Sequence, residues 1–338
     1  MGGHAFPFAT FVDTPFAASY IGVTGGIEYH RVPGVSKPLA LFGNAGTERV
    51  DLQTVNVAET LDFELRLHDL FALFGSVYGR ARVGVNVPTL LGNGGDYRYG
   101  GGGGGLLRVL RVDDFQLSLR ADLGFYAGQQ AGILGLFRDL GNIVKDAFER
   151  IVTNPMVDLD STLALVNNAF RSATQELLVP FDGYRYGVSL NAAQALGRYV
   201  GVQLALGFIG ETTFFRPRLY DATVGGTVVL EQQSTTLAGR TALALDLDGA
   251  PAGLPLDLML EYGLTLGHEQ TKAPNTSSDT MSTEHLVALG LYYSGRPDLQ
   301  LGGTVYTLVG QLPLVAADRS LSGSPIDAGA LFVFRYIW

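Results

Sequence analysis

Apolar and polar residues alternate with period two along much of the chain. From 115, FQLSLRADLGFY sets Phe115, Leu117, Leu119, Ala121, Leu123 and Phe125 against Gln116, Ser118, Arg120, Asp122, Gly124 and Tyr126. From 71, FALFGSVYGRARVGV sets Phe71, Leu73, Val77, Ala81, Val83 and Val85 against Ser76, Tyr78, Arg80 and Arg82. From 256, LDLMLEYGLTLG sets Leu256, Leu258, Leu260, Tyr262, Leu264 and Leu266 against Asp257, Met259, Glu261 and Thr265. Successive strand residues point to opposite faces, so each segment predicts a strand with one apolar and one polar side. Their length, roughly ten residues, is what a tilted strand needs to cross a bilayer.

The same pattern predicts strands near 16–30, 51–67, 71–86, 104–112, 115–127, 184–196, 199–212, 228–247, 255–268, 285–294, 299–310 and 326–338. The joins after every second strand are short: HDLF, VDD, GR, DGAPAG and SGRPD. The others are long, at 31–50, 87–103, 128–183, 213–227, 269–284 and 311–325. Short turns on one rim and long loops on the other predict an all-β, antiparallel, up-and-down transmembrane barrel of about twelve strands, a single domain over 1–338. The termini then share the short-turn side, expected to be periplasmic, and the long loops are extracellular.

Composition agrees. Only 16% of residues are charged while 47% are hydrophobic, yet no uncharged apolar run approaches the roughly 20 residues of a spanning helix. A closed sheet satisfies every backbone group in lipid and tolerates an apolar exterior. The net charge of −9 and the absence of a basic stripe exclude nucleic acid as a partner. With no cysteine there is no disulfide, thiolate metal site or Cys nucleophile. The opening MGGHAFPFATF lacks a basic and then apolar leader, so export requires a signal peptide removed upstream and an added Met1.

Motifs for chemistry are lacking. The run Gly100 to Gly105 has no Gly-Lys-Ser/Thr ending and reads as a flexible loop entering a strand. His268 and Glu269 are followed by Lys272 where a zinc protease needs its second His. His4, His30, His68, His268 and His285 fall mostly at strand ends or in loops, where a solvated imidazole is the default. There is no GxSxG elbow, and no predicted strand places a Ser and a His two positions apart on its outward face. The expectation is no enzyme, no cofactor and no metal site.

Inward parity collects Arg80, Arg82, Arg120, Arg185 and Arg240 with Asp62, Glu64, Arg66, Asp122, Asp246, Asp257 and Glu261. These charges form either a solvated channel wall or an ion-paired network filling the barrel. The last three strands offer Ala288, Gly290, Tyr292, Gly302, Thr304, Tyr306, Leu331 and Val333, which predicts a roomier, less polar side. Residues 1–15 are a candidate lumen segment.

Residues 131–178 change period. Ile133, Leu136, Phe137, Leu140, Ile143, Val144, Ala147, Phe148 and Ile151 recur at helical spacing, as do Leu159, Leu163, Val166, Phe170, Ala173 and Leu177 after Asn154-Pro155. The spacing predicts two amphipathic helices, the second capped by Asp158 or Asp160, within the long loop 128–183. They pack on each other, or restrict the barrel mouth through Leu136, Phe137, Leu140, Phe148 and Phe170.

Two resemblances follow from particular residues. The ending DAGALFVFRYIW, with Phe332, Phe334, Tyr336 and Trp338 on the outward parity, resembles the C-terminal assembly signal of bacterial outer-membrane proteins. That implies outer-membrane lipid and the barrel-assembly machinery as partners. Helical insertions in extracellular loops with a barrel-blocking segment resemble porins and the long-chain fatty-acid transporter family, although about twelve strands are expected here rather than that family's fourteen. The resulting expectation is an outer-membrane channel or passive transporter for a small, partly hydrophobic solute. The alternative is a plugged barrel acting as adhesin, receptor or scaffold of a secretion or motility assembly.

Overall fold

The computed structural model describes residue 4 and residues 6–36, 49–86, 89, 94–131, 178–216, 218–221, 226–274, 276–311 and 325–338. In chain order the strands are β1 (Tyr20–Ser36), β2 (Arg49–His68), β3 (Phe71–Gly84), β4 (Gly95–Val112), β5 (Phe115–Ala131), β6 (Leu178–Ala195) and β7 (Val200–Phe215). A small hairpin of β8 (Arg218–Asp221) and β9 (Gly226–Val229) follows. Then come β10 (Gln232–Asp248), β11 (Leu256–Ala273), β12 (Thr276–Tyr293), β13 (Leu299–Gln311) and β14 (Ile326–Ile337). Twelve of these, all but β8 and β9, form one closed antiparallel barrel. Closure is made by β1 and β14, in register from Tyr20 opposite Ile337 to Arg31 opposite Ile326.

The predicted alternation fixes which face looks out. In β5, Leu119, Leu123 and Phe125 are exposed while Gln116, Ser118 and Tyr126 are buried inside. On β11, Leu256, Leu258, Leu260 and Tyr262 are exposed and Asp257, Met259 and Glu261 buried. An outer wall of Leu, Val and Phe would be untenable in water but matches a bilayer, and ring closure leaves no open edge. Phe332, Phe334, Tyr336 and Trp338 all lie on this outer face, with the Tyr336 and Trp338 rings stacked 6.3 Å apart. Replacing Leu119, which is 41% exposed, with Arg is expected to cost about 2–4 kcal/mol in refolding titrations into lipid. An unchanged titration would mean that Leu119 does not face the hydrocarbon.

Two expectations about loops are corrected. Residues 269–284 are not a long loop: β11 and β12 stay paired as far as Ala273 opposite Thr276. Threonine and serine crowd this stretch, and a strand with polar residues on both faces is stable where water bathes both sides, so the ladder continues although the alternation is lost. Gly100 to Gly105 are likewise not a loop but the middle of β4, paired with β3 and β5 along their whole length. Their lack of side chains has a use on the inner face. A Cβ at Gly104 would lie 2.7 Å from the Phe74 ring, and one at Gly100 would lie 2.8 Å from the Cβ of Tyr126 and 3.0 Å from the Tyr78 ring. The glycines therefore let inward aromatic side chains of β3 and β5 lie close to the wall.

Candidate functional site

Residues 6–19 belong to no strand and run against inward-facing side chains of the barrel. Glu261, fully buried on β11, grips the turn of this segment: Oε1 accepts from the Thr10 N–H (3.0 Å), and Oε2 accepts from those of Phe11 (2.6 Å) and Val12 (3.0 Å). Successive backbone N–H groups converging on one carboxylate make charge-assisted hydrogen bonds, the strong kind. Arg240 holds the same turn from the other side by donating to the Phe11 carbonyl. Thr10 Oγ1 also meets the hydroxyls of Tyr292 (2.5 Å) and Thr304 (3.1 Å).

Further contacts secure the two arms of the segment. Gln203 donates to the Pro7 carbonyl, Gln300 to that of Phe8, and both Gln116 and Ser118 to that of Pro15, while Glu64 accepts from the Ala18 N–H. Ala9 and Val12 pack with Ala205, Ala242, Ala244, Met259, Tyr292 and Val333 in the one buried apolar cluster formed by described residues. The wall alanines of this cluster lie on β7 and β10, while β12 and β14 contribute Tyr292 and Val333, and the N-terminal segment occupies the lumen beside them.

The first described residue of the segment is pinned by a buried pair. His4 Nε2 lies 2.7 Å from Asp246 Oδ2, and both side chains are inaccessible to solvent. The expectation of solvated histidines therefore fails at His4, and at His30, which contacts Asp327, because a buried imidazole is stable once a carboxylate faces it. Burial pulls the His4 pKa down. The hydrogen bond to Asp246, the Arg198 carbonyl and the charges of Asp246 and Asp248 outweigh this and leave it raised. A raised pKa in the docked state means that the charged pair contributes in full below the undocked value of about 6.5 and is lost as pH climbs through the docked value. Protease cleavage within residues 4–19 is expected to be faster near pH ~8.5 than near pH ~5.5 relative to a His4→Gln variant. Equal ratios would remove His4 as a clamp.

Beside the segment a cavity of about 250 Å3 remains, lined mainly by β2 to β7 with Arg240 of β10. Its wall carries Arg98, Arg120, Arg185 and Arg240, with Asp13, Asp62 and Asp122. Arg98 is tied to Glu211 (3.0 Å) and lies over the Tyr126 ring (3.4 Å). Arg185 faces Asp122 at 3.9 Å, and Arg335 faces Asp62 at 3.5 Å. Arg120 stacks on Phe74 at 3.5 Å.

The remaining candidates lie elsewhere on the inner face. Arg82 pairs with Asp96 (2.5 Å) and Arg80 lies beside it on β3, while Tyr306 donates to Glu28 (2.9 Å) and its ring meets Phe11. Asp257 is buried near the short-turn rim, opposite Asp248. Leu136, Phe137, Leu140, Phe148 and Phe170 fall outside the described residues. Asp13 and Arg98 are not among the residues expected from the sequence. Arg98 falls in the expected loop 87–103, although the alternation Tyr97-Arg98-Tyr99 marks it as inward. No group of three metal-ligating side chains occurs among the described residues.

Among solved structures, the β domain of the Bordetella autotransporter Brka matches with a TM-score of 0.50 and 12% identity, over 95% of this chain and 100% of that one. The translocator domain of the autotransporter NalP from Neisseria meningitidis gives 0.50 at 9% identity, over 94% and 88%. The fold is that of a bacterial outer-membrane β-barrel. A third match in the same class of barrel, the COG4313 outer membrane channel from Pseudomonas putida F1, has a TM-score of 0.44 at 12% identity over 99% and 98%. No protein-family model and no curated protein matches the chain.

Proposed function

We propose that this barrel is a passive outer-membrane channel for a small solute, closed from the short-turn side by its own N-terminal segment. The observation that supports it most is that residues 6–18 lie outside the sheet and are held by hydrogen bonds to inward side chains, so they can leave without breaking the ladder. The short-turn rim with both termini is periplasmic in this reading, and the long loops are extracellular. Its solute path runs from the Arg-lined cavity to the space that the segment vacates. Phe334, Tyr336 and Trp338 serve as the signal read by the barrel-assembly machinery.

The density of contacts on the segment also favours the second reading, a permanently plugged barrel acting as receptor, adhesin or scaffold. Current through planar bilayers discriminates between them. A steady current once the segment is loosened supports the channel, and silence after its removal supports the scaffold.

Residues 132–177 form an outer restriction in this scheme. Pairing of β5 with β6 ends at Ala131 opposite Leu178, so a short Gly-containing turn can close the strands there. In protein lacking residues 1–15, deletion of 132–177 is expected to leave a folded barrel and to raise the current further. A folded deletion with unchanged current would make this loop a surface for a partner instead.

A further inference from the structure

We propose that the cavity beside the N-terminal segment is a binding site for a small zwitterion with an apolar side chain, of the amino-acid class. The inference rests on the channel reading for its purpose but on the cavity alone for its chemistry. Most of the charged groups on this wall have a partner: Arg98 has Glu211, Asp62 has Arg335, Arg185 has Asp122, and Arg240 has the Phe11 carbonyl. Two are left over, and they have opposite sign. Among the described residues Arg120 makes no hydrogen bond or ion pair, only its stack on Phe74 and a longer-range attraction to the buried Glu64, which spends an oxygen on the Ala18 N–H. Asp13, on the N-terminal segment, receives one long hydrogen bond from Ser189 (3.4 Å) and pairs with no cation among the described residues. Had the lumen been packed only for filling, an unpaired guanidinium and an unpaired carboxylate on one cavity would gain by meeting each other or by being replaced.

The remaining features fit a ligand that carries both charges. Stacking on Phe74 fixes the plane of the Arg120 guanidinium and leaves its N–H fork free for a carboxylate. Asp13 offers acceptors to an ammonium. Phe74, Tyr126 and the side-chain-free stretch where Gly102 lies opposite Gly124 supply an apolar and roomy floor. A cavity of about 250 Å3 exceeds the roughly 150 Å3 that accommodates benzene in an apolar protein cavity, so an aromatic amino acid is of suitable size.

The test is equilibrium binding to the full chain in detergent, by calorimetry, with L-phenylalanine, phenylacetate and phenethylamine as probes. Such binding is independent of whether the barrel conducts. Phenylalanine is expected to bind at least about tenfold tighter than either single-charge probe, the worth of one charged hydrogen bond. Arg120→Gln should remove that advantage over phenethylamine, and Asp13→Asn the advantage over phenylacetate. Gly124→Leu should abolish all binding by filling the floor, since a Cβ at Gly124 meets nothing closer than 3.4 Å and the side chain has room to start into the cavity; the heat-dependent mobility of the variant checks that the barrel has folded. Equal affinity for phenylacetate and phenylalanine would overturn the zwitterion assignment. Absence of binding by all three, or binding insensitive to Gly124→Leu, would overturn the site itself.

Discussion

Protein lacking residues 1–15 is expected to fold as a closed barrel and to pass a steady ionic current where the intact chain is nearly silent. None of the barrel's ladder bonds involves these residues, since β1 begins at Tyr20 and pairs with β14 and β2 on its own. Removing them does not strand Glu261, Asp246 or Gln203 in a dry interior. Water enters the vacated lumen and solvates each group, which avoids the cost of an orphaned buried charge. The apolar cluster loses Ala9 and Val12, leaving Met259, Tyr292 and Val333 partly wetted, so a modest loss of thermal stability accompanies opening. Planar-bilayer recording together with the heat-dependent mobility of the barrel checks both halves. A folded deletion that stays silent would assign closure to another element and favour the scaffold reading.

Glu261→Ala is the smallest change expected to reproduce that opening. The carboxylate accepts three backbone N–H groups at once, and each such bond to a charge is worth about 1.5–3 kcal/mol. The three are not additive, but loss of even about 3 kcal/mol shifts the ratio of released to docked segment roughly a hundredfold. Glu261→Gln should fall between parent and Ala, because its amide oxygen still accepts one bond while its NH2 faces donors. Open probability and protease access to residues 6–19 should rise together. A rise in protease access without current would separate docking from closure.

The strands were legible because a wall between lipid and lumen imposes a period of two, and period two survives in the residues themselves. Where the strand leaves the bilayer, as at residues 276–284, both faces meet water and the alternation disappears, though the pairing continues. Gly100 to Gly105 misled for a related reason. Glycine carries no polarity and so no period, and its role appears only when Phe74, Tyr78 and Tyr126 are seen lying near it.

The inner charges were legible as a set and illegible as pairs. Arg98 and Glu211 are far apart in sequence and meet only across the barrel, and Glu261 and Arg240 spend their hydrogen bonds on main-chain atoms of Thr10 to Val12, which leave no trace in side-chain types. His4 looked solvated because nothing in its neighbourhood announces Asp246, 242 residues away.

Closure of the lumen by the N-terminal segment is tested most directly by a reversible tether. Thr10 Oγ1 and Thr304 Oγ1 are 3.1 Å apart, and the chain has no cysteine of its own. Thr10→Cys and Thr304→Cys in the Glu261→Ala background should therefore form a single disulfide under mild oxidation. The oxidised protein is expected to be silent in a planar bilayer, and reduction to restore the current of Glu261→Ala. Failure of the disulfide to form in a folded barrel, or an oxidised protein that conducts as well as the reduced one, would contradict closure by this segment.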